Sequence, residues 1–186
     1  MNNIVKTSLL TMALGVAVCS ANANAAIATH QTWSNAVNYC GAFTPGVSNT
    51  LRNRVIGVEN VGSAPLAVSC NYASFYNGAP CNSSLHTVNL YFTNNSSIAV
   101  DVTCTMLAGT SGSINSGSSY AVTKTVSIGA GAPGTIGWTV ADNPTAGAVD
   151  LGNLMVGVNC NLPISVVLSA TNLRWAADNG VEPPAP

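Results

Sequence analysis

Residues 98–106 read IAVDVTCTM, the most regular stretch of this 186-residue chain. Apolar or cysteine side chains occupy every second position, namely Ile98, Val100, Val102, Cys104 and Met106. Three of the four positions between them are polar. Alternation of this length is typical of a β-strand with one face in a core and the other toward solvent. The stretch therefore predicts a half-buried strand, with Cys104 on its buried face.

The same alternation recurs elsewhere in the chain. Residues 154–162 (LMVGVNCNL) place Cys160 on an apolar face, and Pro163 marks where that strand must stop pairing. Shorter alternating runs occur in HTVNLYF (86–92) and TIGWTV (135–140). Turn signals about every 8–12 residues and the lack of a helical stripe predict an all-β fold. We expect a single antiparallel β-sandwich, immunoglobulin-like or jelly-roll-like, with about seven to nine strands and disulfide staples.

The beginning of the chain has the three-part layout of a secretory signal. A polar start with Lys6 precedes an apolar segment over Ser8–Ala21, and an A-x-A site follows at Ala23–Ala25. The apolar segment is shorter than the roughly 20 residues that a membrane-spanning helix needs. We predict that residues 1–25 are a signal peptide, and that the protein is exported to the periplasm or the extracellular space without an integral membrane anchor.

Three further segments are expected after the signal peptide. Residues 26–50 have weak periodicity and predict a loose N-terminal lead-in, residues 51–176 predict the sandwich, and residues 177–186 predict a disordered Pro-rich tail. Within the sandwich, NRVIGVEN predicts a short strand over Arg54–Asn60. In the strand expected at Tyr120–Ile128, Lys124 falls in phase with apolar residues. Either a bulge shifts the register there, or this is an edge strand with an inward-pointing lysine.

The composition excludes one class of partner. Charged residues make up 6% of the chain, where about 25% is typical. After removal of the leader, four basic residues remain against six acidic ones, and they are scattered along the sequence. Nucleic-acid binding needs a basic face that neutralises phosphates, so we predict no nucleic-acid partner.

Five cysteines follow the predicted leader, namely Cys40, Cys70, Cys81, Cys104 and Cys160. Disulfides are the default in exported proteins, and an odd number leaves one cysteine over. Cys104 and Cys160 each lie on the apolar face of a long alternating strand. We predict that they form a disulfide across the sandwich, which closes a loop of about 56 residues and stabilises the fold by roughly 4 kcal/mol.

The other three cysteines compete for one further bridge. Cys70 faces the core, and it pairs either with Cys40, which tethers the lead-in, or with Cys81, which closes its own loop. Cys40–Cys70 is preferred because an unpaired N-terminal segment gains most from a tether, and Cys81 is then the free thiol. Connectivity does not follow from sequence alone, so both alternatives stay open.

Residues with catalytic or metal-binding chemistry are few. The histidines are His30 and His86, no G-x-S-x-G motif occurs, and the carboxylates are not paired in the manner of a glycoside hydrolase. The loop DNPTAGAVD holds oxygen donors at Asp142 and Asp150 but lacks the dense spacing of a calcium loop. We predict no enzyme activity, no metal ion and no cofactor.

Binding is the better supported chemistry. The loop at residues 71–81 (NYASFYNGAPC) carries Tyr72, Phe75 and Tyr76 among amide and glycine residues. Aromatic rings beside amides suit a carbohydrate or peptide ligand, although the same rings also suit the closure of one end of a sandwich. Trp138 alternates with core residues and is expected to be buried, whereas the pattern leaves Trp33 and Trp175 unassigned.

Four short motifs carry a resemblance to a known group of proteins. They are VIGVEN (55–60), LAVSC (66–70), VDVTCTM (100–106) and VGVNCNLP (156–163). They resemble the G-x-x-N, V-x-C, V-x-C-T and C-x-LP strands of small exported, uncharacterised β-sandwich proteins of Gram-negative bacteria, over roughly residues 40–175. In that group the V-x-C strand often continues as Pro-Leu, whereas Asn71-Tyr72 follows here. The resemblance implies a sandwich fold and export, and it implies no established activity.

Taken together, these patterns predict an exported structural or interaction protein that is not catalytic and whose partner is unknown. The alternative is a carbohydrate- or peptide-binding module that uses the aromatic loop 71–81, with a glycan or a protein as its partner.

Overall fold

The chain folds as an antiparallel β-sandwich of two sheets in a computed structural model. The structure describes residues 27–44, 50–72, 84–109, 120–148, 151 and 155–178. The described residues form eleven strands, in chain order β1 (Ile27–Asn35), β2 (Cys40–Ala42), β3 (Leu51–Arg54), β4 (Gly57–Asn60), β5 (Leu66–Asn71), β6 (Ser84–Asn94), β7 (Val100–Gly109), β8 (Tyr120–Ile128), β9 (Pro133–Thr139), β10 (Met155–Leu162) and β11 (Val166–Asp178). Two single 3₁₀ turns lie at Ala36–Asn38 and Val140–Asp142.

The larger sheet is built around the long strand β11. Its order is β3-β4-β11-β6-β9, and β1 also pairs with β11. β4 and β1 lie on the same side of β11, one after the other: β4 pairs with residues 167–168 and β1 with residues 170–178. The register of β11 against β6 shifts between Leu168 and Ala170, so Ser169 is a bulge at the point where β11 changes partner.

The smaller sheet has the order β2-β5-β10-β7-β8. Four turns join it to the larger sheet at one end of the sandwich: β4–β5, β6–β7, β8–β9 and β10–β11 each cross from one sheet to the other. The crossovers are tied together by backbone hydrogen bonds, because Ser165 N–H donates to Asn60 O (2.8 Å) and Asn95 N–H donates to Ser165 O (2.9 Å).

The core lies between the two sheets, as the alternating patterns predict. β7 buries Val102, Cys104, Met106 and Ala108, and β10 buries Val156, Val158, Cys160 and Leu162. Trp138 of β9 is also fully buried. Ile98 is an exception to the predicted pattern: it lies in the turn before β7 begins and is 66% exposed.

Three expectations about segment boundaries differ from the structure. The predicted loose lead-in contains β1 and β2, which is why the described strands outnumber the seven to nine expected. The strand expected at Arg54–Asn60 is instead a hairpin, with a turn at Val55-Ile56 between β3 and β4. Residues 177 and 178, assigned to the tail, end β11. The predicted signal peptide lies outside the described residues.

The Lys124 alternatives are resolved in favour of an edge strand. β8 pairs with β7 without a register shift and has no second strand neighbour in the described sheet. Lys124 points inward and donates from Nζ to Gly137 O of β9 (2.7 Å) and to Asp142 Oδ2 (2.8 Å). In the described part of the chain, no helix is long and apolar enough to cross a membrane.

Candidate functional site

The aromatic residue of the predicted ligand loop that the structure describes is not at the surface. Tyr72 is completely buried, and its ring lies 6.0 Å from the ring of Tyr39. Burial raises the pKa of Tyr72 above its ordinary value of 10.0, and the interaction with the Thr171 side chain of β11 opposes this shift. Tyr72 therefore packs the sandwich interior, and its assignment to ligand binding is wrong. Phe75, Tyr76 and Cys81 lie outside the described residues.

Both preferred disulfides are present, but one of them has a different geometry from that expected. Cys104 pairs with Cys160, and Cys40 pairs with Cys70. Cys104 and Cys160 are direct cross-strand neighbours on β7 and β10, with 4.0 Å between their Cα atoms. The bridge therefore joins two strands of one sheet, and the expectation that it crosses the sandwich is wrong. Cys40 and Cys70 are likewise opposite each other on β2 and β5.

The other residues considered for chemistry are dispersed. His30 stacks on Trp175 with 5.6 Å between the ring centroids, and Asp101 is exposed on β7. Asp142 accepts a hydrogen bond from Lys124, whereas Asp150, the other carboxylate of the loop DNPTAGAVD, lies outside the described residues. Among the described residues, no three His, Cys, Asp or Glu side chains are grouped as metal ligands would be.

An open cleft lies where β11 changes partner. The end of β1 borders it on one side, the β3–β4 turn borders it on the other, and the bulge of β11 forms its floor. Its volume is about 370 Å³, and its lining comprises Trp33, Ser34, Asn35, Val55, Ile56, Ser169 and Ala170. We refer to these seven residues as the β1–β4 cleft.

The β1–β4 cleft carries an exposed aromatic platform. Trp33 of β1 is 59% exposed, and its ring centroid is 5.1 Å from that of Tyr91 on β6. Because β1 and β6 flank β11 on opposite sides, the two rings meet over the outer face of β11. The small side chain of Ala170, which pairs with Tyr91, leaves room for this contact. Asn172, the direct neighbour of Trp33 on β11, is only 3% exposed beneath the platform.

Hydrogen bonds hold the walls of the cleft in position. Asn35 Nδ2 donates to Val55 O (2.8 Å), which joins the end of β1 to the β3–β4 turn. Ser169 Oγ donates to Tyr91 O (2.9 Å), and Asn172 Nδ2 donates to Thr32 O (3.1 Å). The platform and its floor are therefore held by three side chains from two strands, β1 and β11, which donate to backbone carbonyls of β1, β6 and the β3–β4 turn.

The lining of the cleft is uncharged and consists of four apolar and three polar residues. The tip of the β3–β4 turn presents Val55 at 94% and Ile56 at 61% exposure, directly across from Trp33. Arg54 and Glu59, which lie on either side of the β3–β4 turn, form an ion pair with each other. This arrangement offers ring stacking, apolar contact and hydroxyl or amide hydrogen bonds, and none of the seven lining residues titrates near neutral pH.

The sequence pattern did not identify this site. β1 reads IATHQTWSN, so both of its faces are largely polar and its period of two carries no hydrophobic signal. The one available signal was Trp33 itself, a large aromatic residue in a polar segment. Its partner Tyr91 looked like an ordinary outward-facing residue of the HTVNLYF strand.

Comparisons with known proteins give only distant structural likenesses. No family model and no curated protein matches the chain. An exo-β-1,3-galactanase from Phanerochaete chrysosporium has 18% identity and a TM-score of 0.36, over 79% of this chain and 29% of the galactanase. The Tobacco streak virus coat protein has 12% identity and a TM-score of 0.37, over 83% and 90% of the two chains.

A family 11 carbohydrate-binding module from Clostridium thermocellum, solved with a mixed-linked tetrasaccharide, has 7% identity and a TM-score of 0.33, over 85% and 91% of the two chains. Likenesses this distant carry no argument about what this chain binds. The function must be argued from the residues of the β1–β4 cleft.

Proposed function

We propose that this protein is an exported, non-catalytic binding module, and that its ligand is a neutral oligosaccharide chain held in the β1–β4 cleft. One observation carries the proposal: Trp33 stands exposed beside Tyr91 at the rim of an uncharged cleft. Contact between the exposed ring of Trp33 and a ligand removes apolar surface from water, which contributes favourable free energy to binding.

The chemistry of the cleft fits a sugar ring. The C–H face of a pyranose is apolar and stacks on an aromatic face, while its hydroxyl groups need donors and acceptors at the rim. Asn35 and Ser169, whose amide and hydroxyl groups also hold the walls of the cleft, supply such groups next to the platform. An uncharged lining favours a neutral ligand over a phosphorylated or acidic one, because nothing in it neutralises a negative charge.

The shape of the cleft fits a chain rather than a single sugar. Its volume lies near the lower end of the range for small-molecule pockets, about 300–1,000 Å³, but it is open along the outer face of the larger sheet. A polymer laid across that face contacts the platform with one residue and continues over the neighbouring strands. This geometry suits a module that attaches to a polysaccharide surface.

The test measures binding of the folded protein to neutral glycans. An array of neutral glucans, galactans, mannans and chitin oligosaccharides identifies the ligand, and calorimetry then gives its Kd. We expect Trp33→Ala to weaken binding by about tenfold or more, which corresponds to roughly 1.4 kcal/mol, a typical value for an aromatic contact.

Phe43→Ala is the matched control. Phe43 is as exposed as Trp33 but follows β2 at the edge of the smaller sheet, so its removal should leave Kd unchanged. The proposal fails if the wild-type protein binds no neutral glycan, or if Trp33→Ala and Phe43→Ala bind equally well. A ligand that proves to be an apolar peptide would also overturn it.

A further inference from the structure

Within the part of the chain that the structure describes, β1 pairs with β11 along one edge and with no strand along the other. We propose that β1 pairs antiparallel with β1 of a second copy of this chain about a two-fold axis, so that the larger sheets of both copies become one continuous sheet. The pairing would follow from the strand edge and not from a bound glycan, and it would cover Val55 of the β1–β4 cleft.

The other sheet edges in the described part of the chain are protected against such pairing. β8 and β9 close on each other, because Lys124 Nζ donates to Gly137 O and Trp138 Nε1 donates to Val122 O (3.1 Å). β9 also begins with Pro133, which has no N–H to donate. β2 has three residues, and β3 has four with Arg52 and Arg54 among them. Short strands, prolines and charges are the usual means by which proteins prevent edge association.

β1 has none of these features. It is nine residues long, it pairs with β11 along its whole length without a register shift, and it contains no proline, lysine, arginine or acidic residue. Its outward-facing side chains Thr29, Gln31 and Trp33 are exposed and uncharged. A long regular edge without protection is a template for a further strand.

The position beside β1 has defined boundaries. β4 and β1 pair with the same edge of β11, one after the other, and β3 pairs with the far edge of β4 as far as the β3–β4 turn. A strand added to the far edge of β1 would lie in line with β3 and abut that turn. It thereby covers Val55, which the turn otherwise leaves 94% exposed.

A second copy is the occupant that these features favour. In a two-fold antiparallel pair over Ile27–Asn35, the central residue Gln31 faces Gln31 of the other copy, and Trp33 faces Thr29. No like charges on the two β1 strands face each other across this pair. The two-fold axis matches the outward-pointing backbone N–H groups of each β1 with the C=O groups of the other. Interfaces of this self-complementary kind are the commonest in soluble oligomers. Both Trp33 rings then lie on the same face of the joined sheet.

The test measures the mass of the protein in solution over a range of concentrations by sedimentation or light scattering. The wild-type protein should form dimers as its concentration rises. Gln31→Lys should raise the dimer dissociation constant at least about tenfold, because like charges then face each other across the pair and each lies beside Arg174 of its own β11. Gln31→Glu should raise it less, because Arg174 offsets part of the charge of each glutamate. An equal mixture of the two variants should restore the dimer, since opposite charges now meet.

Ala121→Lys on β8 is the control, because it places the same charge on a different exposed edge. Thermal unfolding of every variant confirms that the fold is retained. The proposal is overturned if the wild-type protein stays monomeric, if Ala121→Lys rather than Gln31→Lys abolishes the dimer, or if mixing the two Gln31 variants does not restore it.

Discussion

Two completely buried asparagines organise the end of the sandwich at which the chain crosses between sheets. Asn60 Nδ2 donates to Ala64 O (2.8 Å) and Leu162 O (2.9 Å), and its Oδ1 accepts from Gly62 N–H (2.9 Å). Asn94 Nδ2 contacts the carbonyls of Ile98, Ile128 and Gly129 at 2.7–3.1 Å, and Ser96 donates to its Oδ1. Each side chain thus satisfies backbone groups of two separate turns, which water reaches poorly.

Asn94→Ala should lower the free energy of unfolding by about 2–3 kcal/mol, because several buried polar groups lose their partner at once. Equilibrium unfolding in urea measures the change. Asn95→Ala is the control, since Asn95 is adjacent but exposed, and its loss should cost less than about 0.5 kcal/mol. Equal losses for the two variants would show that the buried network contributes no stability.

Gly57 is required by the backbone of β11. Its φ is +144°, and a Cβ at this position would collide with Leu168 O and lie 2.6 Å from Ser169 Cα. Gly57 thus lets the β3–β4 hairpin approach the bulge that floors the cleft. Together, Gly57 and Asn60 explain the G-x-x-N pattern of VIGVEN: the first residue allows a close approach, and the second ties the following loop.

Gly57→Ala should destabilise the protein by about 3 kcal/mol or more, because backbone atoms cannot move aside as a side chain can. Gly41→Ala on β2 is the matched control, since a Cβ there meets nothing within 4 Å. Thermal melting of both variants measures the contrast. A melting temperature for Gly57→Ala as high as that of Gly41→Ala would contradict the close approach described here.

At the scale of the strands, the β8–β9 side of the sandwich is closed by side chains rather than by backbone pairing. Partial burial by itself would raise the pKa of Asp142. The hydrogen bonds from Lys124 Nζ and Thr139 N–H, together with the positive charge of Lys124, outweigh burial and hold the pKa of Asp142 below its ordinary value of 3.8. A carboxylate with a lowered pKa stabilises the folded state wherever it is ionised.

The contribution of Asp142 should therefore be fully present above about pH 5 and decrease as the pH falls below 3.8, the ordinary pKa of the group. Asp142→Asn should lose about 0.5–1 kcal/mol at pH 7, since the ion pair is partly exposed, and should lose less at pH 3. Urea unfolding at both pH values measures this. A variant that loses the same amount at both would show that the charge of Asp142 plays no part.

Strands that bury an alternating face were predictable, and strands held by a distant partner were not. β7 and β10 follow from their sequences because burial selects an apolar residue at every second position. β1 forms because β11 supplies its hydrogen bonds from the other end of the chain, and its own residues show no hydrophobic period. The β1–β4 cleft depends on a change of partner along β11, which no local pattern reports.

The cysteines illustrate the same limit. Their alternation showed that Cys104 and Cys160 face the core, and the preferred pairing is the one observed. Whether the bridge crosses the sandwich or joins neighbouring strands depends on the order and register of β7 and β10. Those are properties of the assembled sheet rather than of either strand.

For the molecule as a whole, both disulfides join strands of the smaller sheet. Cys104–Cys160 links two inner strands and spans 56 residues, whereas Cys40–Cys70 spans 30 residues and anchors the short edge strand β2. The chain-entropy account gives about 4 kcal/mol for the longer loop and somewhat less for the shorter one. The larger sheet, which carries the cleft, has no covalent link among its described residues.

Replacement of Cys104 and Cys160 together by alanine should lower the global stability by about 4 kcal/mol. Replacement of Cys40 and Cys70 should instead loosen the N-terminal segment, because β2 is otherwise attached through only three residues. Urea unfolding reports the first effect, and limited proteolysis near residue 40 reports the second. If each double variant lost the same global stability and neither became more sensitive to protease, the two bridges would be equivalent.

The pairing of β1 with β11 has a consequence for the order of events during folding. These are the first and last of the described strands, and Ile27 lies opposite Asp178. Contacts this distant along the chain close late, since the intervening residues must first be ordered. A chain that leaves the ribosome from its N-terminus therefore carries β1 without β11 as its partner until β11 has emerged. The β1–β4 cleft is completed only then, so binding of the proposed ligand there would mark a chain that has finished folding.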